Sequence, residues 1–322
     1  MAKTLLAMLF AISFQSACFS MGELPGTPES VKGVEFVRQI GFAGSGVGQF
    51  YFPADVYMTV FGDISTGLGN LFVADTSNAR VERLDESGDF VYQFGQFGLD
   101  DGKFNSPRGI SVDFNNTIYV SDKTNNRIQE FDIRGNFLNA FGTFGTGNGQ
   151  FSEPCGITLD HLGYIYVADS GNDRVQKFTQ NGIFVSSFGG FGVGLGFFDS
   201  PQDVAVDIAR SIYVADTGNN RIQKLDEFGL PVFAVGEKGI AFGKFDFPKG
   251  IAVDERFIYV SDSGNNRIQI FDKSGNFVAA FGSRGSGRGQ FSNPTGISIG
   301  RAGHIFVADT DNHRIQEFKL VF

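Results

Sequence analysis

The fold this sequence predicts is all-β: a propeller of six four-stranded antiparallel blades, on three observations. First, the string Phe72-Val-Ala-Asp75 returns as Tyr119-Val-Ser-Asp122, Tyr166-Val-Ala-Asp169, Tyr213-Val-Ala-Asp216, Tyr259-Val-Ser-Asp262 and Phe306-Val-Ala-Asp309, with Asp spacings of 47, 47, 47, 46 and 47. Second, a marker Gly-x-Phe-x-x-Pro precedes each string, ending at Pro53, Pro107, Pro154, Pro201, Pro248 and Pro294. Third, no stretch holds a helical period, and a self-similar unit of about 40–50 residues made of short strands is the mark of a propeller blade.

Each unit parses into four strands. In the third repeat they are Gly156 to Asp160, Tyr164 to Asp169, Arg174 to Phe178 and Ile183 to Phe188, separated by turn formers such as Ser170-Gly-Asn-Asp. These runs are rich in β-branched and aromatic residues. Innermost strands carry small residues at one position (Ser111, Thr158, Ala205, Ala252, Ser298) and outer strands carry Phe (Phe131, Phe137, Phe141). That gradient suits wedges that are narrow at an axis and wide at a rim. The first marker interval is 54, so seven extra residues fall near Gly62 to Gly69.

The sixth repeat ends after its third strand, Ile315 to Leu320. Val34-Glu-Phe-Val-Arg-Gln-Ile-Gly41 matches the fourth strand Gly275-Asn-Phe-Val-Ala-Ala-Phe-Gly282, so the N-terminal strand is expected to complete the last blade and close the ring.

Upstream of the ring, Lys3 and the apolar run Leu5 to Phe14 read as a secretory signal peptide over 1–20, followed by a linker over 21–34 and the propeller over 35–322. Cys18 after Ala17 resembles a lipoprotein cleavage site, although Gln15 stands where Leu is usual. The run is too short to span a bilayer. The expected location is therefore secreted, periplasmic or at the cell surface.

Composition narrows the function. Among 322 residues Gly is 44, Pro 9, Phe 38, Trp 0 and Cys 2, and the net charge is -9. An acidic chain argues against holding nucleic acid through clustered Lys and Arg. Two Cys exclude a disulfide scaffold and a multi-Cys zinc module.

The combined marker, Tyr-Val-Ala-Asp string and Asn-x-Arg-Ile-Gln run resemble the NHL repeat family over residues 35 to 322. The eponymous spot reads Asn312-His313-Arg314 in the last unit and Asn-Asn-Arg in three others. The resemblance implies a six-bladed ring and leaves function open. Members of the family include RNA-binding and ubiquitin-ligase-linked proteins, an amidating lyase with a channel metal, and extracellular sensor domains.

Five residues after each Asp stands an Arg: Arg80, Arg127, Arg174, Arg221, Arg267 and Arg314. Six copies of one Asp–Arg pair across one loop read as bracing. The Asn two residues before each Arg reads as a turn former that tolerates a left-handed backbone. His161 and His304 are expected at the end of the ring opposite His313, so they form no common zinc set. No catalytic residue, cofactor or metal ligand is assigned.

Function is expected where the repeats differ. The residue after each marker Pro varies: Ala54, Arg108, Cys155, Gln202, Lys249 and Thr295. So does the residue just before each Arg: Ala79, Asn126, Asp173, Asn220, Asn266 and His313. Both sets are expected around the channel mouth, where loops on a rigid scaffold offer binding residues. The resulting expectation is an exported, non-catalytic binding or scaffold module for a protein, glycan or small-molecule ligand. The alternatives are a metal-dependent propeller lyase or hydrolase and a nucleic-acid-binding NHL domain.

Overall fold

A computed structural model describes residues 31–59 and 69–322. The leader expected over 1–20 with Cys18, the linker up to residue 30, and the insertion near Gly62 lie outside the described residues. Six four-stranded sheets make the six blades, each with strands in sequence order outward from the axis except the last. Their innermost strands are Pro53–Met58, Pro107–Val112, Pro154–Leu159, Asp203–Val206, Pro248–Val253 and Pro294–Ile299. Each touches the next, and the sixth touches the first, so the ring is closed.

The third blade has strands Pro154–Leu159, Ile165–Asp169, Arg174–Phe178 and Phe184–Gly189, within a residue or two of the reading from turn signals alone. In the sixth blade the fourth place is taken by Gly33–Ile40, which pairs antiparallel with Arg314–Val321 from Gly33 opposite Val321 to Ile40 opposite Ile315. The first strand thus completes the last blade, as its likeness to a fourth strand predicts.

The core lies between blades. Phe72, Ala74 and Val81 of the first blade pack with Phe104, Ile110, Ile118, Val120 and Phe131 of the second. The marker Phe is the plug of each seam: Phe50, Phe104, Phe151, Phe198, Phe245 and Phe291 are all fully buried. Burying one such ring contributes roughly 1.5–3 kcal/mol. The glycine that precedes each seam makes room for it. At Gly142, which has φ +93°, an added Cβ would stand 2.4 Å from the Phe151 ring.

Below the plug, the Asp–Arg pair ties each blade to the loop that brings the chain in from the previous one. Arg174 donates through Nε to Asp169 at 2.7 Å and through Nη2 to the Gly147 and Gln150 carbonyls. Asp169 also accepts the Ser152 backbone N–H at 2.7 Å and the Asn172 amide. Asp75, Asp122, Asp216, Asp262 and Asp309 repeat the pairing with their own Arg. The expected bracing role is what the geometry displays.

One detail of that loop differs from the sequence reading. The left-handed residue is not the Asn two before the Arg but the one immediately before it: Ala79, Asn126, Asp173, Asn220, Asn266 and His313 have φ between 53° and 56°. The earlier Asn instead turns its amide inward, Asn172 donating to the Gly145 carbonyl as well as to Asp169.

Candidate functional site

The start of each innermost strand brings the residue after the marker Pro to the axis, on the face that carries the loops between second and third strands. Pro53 pairs with Asp75, and the turn Thr76–Asn78 follows directly. The next residue along each strand projects into a narrow neck. Here the six blades read Asp55, Gly109, Gly156, Asp203, Gly250 and Gly296.

Asp55 and Asp203 sit on blades one and four, directly opposed in a ring of six. Asp55 accepts the N–H of Val56 at 2.8 Å and that of Ile110, on the next blade, at 2.9 Å. Asp203 does the same with Val204 at 2.8 Å and Ile251 at 2.9 Å. Gly156 and Gly296 exist for them: an added Cβ would stand 1.9 Å from Asp203 Oδ1 and 2.1 Å from Asp55 Oδ1 respectively. Burial pushes both carboxyls well above the usual range, and the charge of Asp55 adds to the rise at Asp203. The nearby Arg108 guanidinium acts against both rises.

This pair was not found from the sequence. The signal was present, because the second residue after the marker Pro is Gly in four repeats and Asp in two. The larger variation one position earlier masks it.

The first variable ring surrounds the neck, and its members are not equivalent. Cys155 is a buried thiol, 3.5 Å from Gln202 Oε1, and burial pushes its pKa up, so it is no ready nucleophile. Gln202 donates to Ser170 Oγ at 2.6 Å. Thr295 donates to the Ala54 carbonyl at 2.6 Å and meets Thr310 Oγ1 at 2.6 Å. These three side chains join blades. Lys249 spends one donor on Asn293 Oδ1 at 2.7 Å. Arg108, partly buried, makes no side-chain hydrogen bond or ion pair among the described residues, and acts on its neighbours through charge.

The second variable ring is occupied in holding the seams. Asn126, Asp173, Asn220 and Asn266 each accept, through Oδ1, the backbone N–H of the residue before the next marker Pro: Glu153, Ser200, Phe247 and Asn293, at 2.7–2.9 Å. His313 Nδ1 accepts the Phe52 N–H at 3.1 Å and stacks on Tyr51. The five partners have φ between 49° and 53°, unusual for a bulky residue such as Phe247, and the bond across the seam helps hold that conformation.

Below the neck the channel encloses about 210 Å³, while the mouth itself holds only about 20 Å³. On the opposite face a cleft of about 550 Å³ lies beside Asp113, Asp160, His161 and Gln180. Its acids are committed to turns: Asp160 accepts the N–H groups of Leu162 and Tyr164 and the Tyr166 hydroxyl. His304 is elsewhere, with Nδ1 2.5 Å from Glu317 Oε1. The three histidines therefore occupy three separate places. Among the described residues, no three His, Cys, Asp or Glu side chains gather as a metal set.

Comparison with known proteins agrees with this fold. The NHL repeat family matches residues 104–131, 198–225, 245–271 and 291–318. Each span runs from a marker Phe through the third strand of its blade, in blades two, four, five and six. The chain is an NHL-repeat β-propeller. No curated protein matches the NHL-repeat chain in sequence. Solved structures resemble the propeller at low identity. A streptogramin B lyase is 17% identical, with 82% of this chain and 78% of that one covered and a TM-score of 0.57. A catalytically inactive virginiamycin B lyase from Staphylococcus aureus, solved with quinupristin, is 16% identical over 83% and 80%, at 0.55. An auxiliary nutrient binding protein from Bacteroides thetaiotaomicron is 14% identical over 89% and 76%, at 0.62. At these identities the likeness is one of fold. Among the described residues, no helix of the NHL-repeat chain is long and apolar enough to cross a membrane.

Proposed function

We propose that this NHL-repeat propeller is an exported, non-catalytic binding module that seats a small molecule, or a projecting group of a larger partner, at the channel mouth. One observation carries the reading. Of the residues that vary from blade to blade on this face, Arg108 and Lys249 are partly buried cations: Arg108 makes no side-chain bond among the described residues, and Lys249 spends only one donor, on Asn293 across the seam to blade six. The fold does not need a cation there, since the equivalent positions hold Ala54, Cys155, Gln202 and Thr295. Likeness to a nutrient binding protein is in keeping with a module that captures a solute. The leader-like residues 1–20 support export.

The test is a thermal-shift screen of soluble metabolites and glycans against the whole protein and an R108E/K249E variant. Ligands of this site raise the melting temperature of the wild type and lose that effect in the variant. Ligands that stabilise both proteins equally would move the site off this face.

A further inference from the structure

The mouth has a two-fold pattern that the six-fold repeat does not require. Asp55 and Asp203 stand on the opposed blades one and four, and one position earlier along the strand Arg108 and Lys249 stand on the opposed blades two and five. Blades one and four thus carry the two acids, and blades two and five the two cations. The acids lie one step deeper, each clamped by two backbone N–H groups. The cations stand above them at the opening.

We propose that this mouth is an oxyanion subsite, which receives one terminal carboxylate or phosphate of a small molecule between Arg108 and Lys249. The inference rests on the proposed docking face and names the chemistry recognised there.

Three observations carry it. Arg108 has a full set of donors and no protein acceptor among the described residues, in a place where a planar fork could grip two oxygens of one group. Lys249 has donors to spare beyond its single bond to Asn293. The space at the mouth is about 20 Å³, room for about one water, so the anionic group would be held at the opening by Arg108 and Lys249 and the remainder of the ligand would lie outside on the face.

Local charge favours the same ligand. Burial holds the Lys249 amine below its usual pKa, and the positive charges of Arg108 and Lys123 lower it further. An anion between them relieves that repulsion. Lys123 is already paired with Glu153 at 3.1 Å, and Asp311 acts on Lys249 through space from the rim. The two neck acids do not cancel the cations in full, because their raised pKa values keep them from both ionising together near neutrality.

The experiment titrates the full chain calorimetrically with benzoate, phenyl phosphate and uncharged benzamide, at fixed ionic strength. R108Q, K249Q and the double variant are run beside the wild type. Glutamine already stands at this position in blade four, so the substitutions suit the fold; unchanged melting temperatures without ligand confirm it. The expected result is binding of at least one anion, benzamide at least tenfold weaker, and a tenfold or greater loss in each single variant. The stronger of benzoate and phenyl phosphate identifies the group taken. Equal binding of benzamide and benzoate would overturn the assignment, as would anion binding that survives in the double variant or no anion binding by the wild type. A screened ligand that docks on this face yet is indifferent to R108Q/K249Q would overturn the subsite and leave the docking face standing. Anion binding that depends on both residues, with the screened ligands mapping elsewhere, would uphold the subsite and show that the mouth takes small anions rather than those solutes.

Discussion

Arg38, on the first strand of the ring, meets Glu317, on the last, with Nε 2.5 Å from Oε2. The same guanidinium also donates to the carbonyls of Glu86 and Ser87 in the outer turn of blade one. One side chain therefore joins the closing strand to the blade it completes and to the blade beyond. Glu317 is nearly inaccessible, and its other oxygen meets His304.

Removing this clasp should loosen closure before it loosens the ring. Arg38→Ala is expected to cost about 1–3 kcal/mol, because a buried carboxylate loses a charged donor. Amide exchange across Gly33–Ile40 should accelerate while the innermost strands stay protected. Uniform acceleration in every blade would show that the clasp has no local role.

The Asp–Arg pairs make a stronger prediction. Asp169 is fully buried, and Arg174 is its charged partner. Arg174→Ala should destabilise the protein by about 3–5 kcal/mol, the range for a buried ion left unpaired. The midpoint of urea unfolding reads this directly. A shift no larger than that of an exposed substitution such as Arg134→Ala would refute it.

Blade one breaks the repeat at Glu82, where the other blades carry Gln129, Gln176, Gln223, Gln269 and Gln316. Those glutamines bond in two directions: Gln176 accepts the Gly149 N–H and donates to Asp169. Glu82 keeps only the acceptor half with Gly48 and leans on Arg80 at 2.6 Å. Burial raises its pKa from 4.5 to about 7. An acid with a folded pKa above its unfolded value holds more protons when folded, so its stabilising effect is complete below 4.5 and is lost as pH climbs through about 7. Glu82→Gln should therefore flatten the fall in melting temperature over that window. Identical pH profiles for the two proteins would refute the assignment.

The neck leaves no room for a methyl group. At Gly296 an added Cβ would lie 2.1 Å from Asp55 Oδ1, 2.5 Å from its Cα and 2.9 Å from the Ala54 carbonyl oxygen, so backbone must shift. Gly296→Ala should cost about 1–3 kcal/mol as overpacking. Gly33→Ala, with nothing within 4 Å, serves as the neutral control. Equal thermal stability of the two variants would show that the neck yields.

The sequence alone determined the number of blades, the strands within them, the closure and the Asp–Arg brace. All four follow from spacing and from patterns that repeat locally, such as Tyr166-Val-Ala-Asp169 followed by Arg174. Local identity in six copies is legible because each copy folds against the same neighbours. The axis is different. Whether Asn220 is free or spent on the Phe247 N–H, and whether Asp55 confronts Asp203, depends on which blades stand beside or across from one another. Only the closed ring fixes those relations, because they join residues three blades apart or backbone groups that no side-chain pattern reveals. The tertiary structure thus decided which varied positions hold the seams and which keep donors to spare at the mouth, Arg108 with no side-chain bond among the described residues and Lys249 with one.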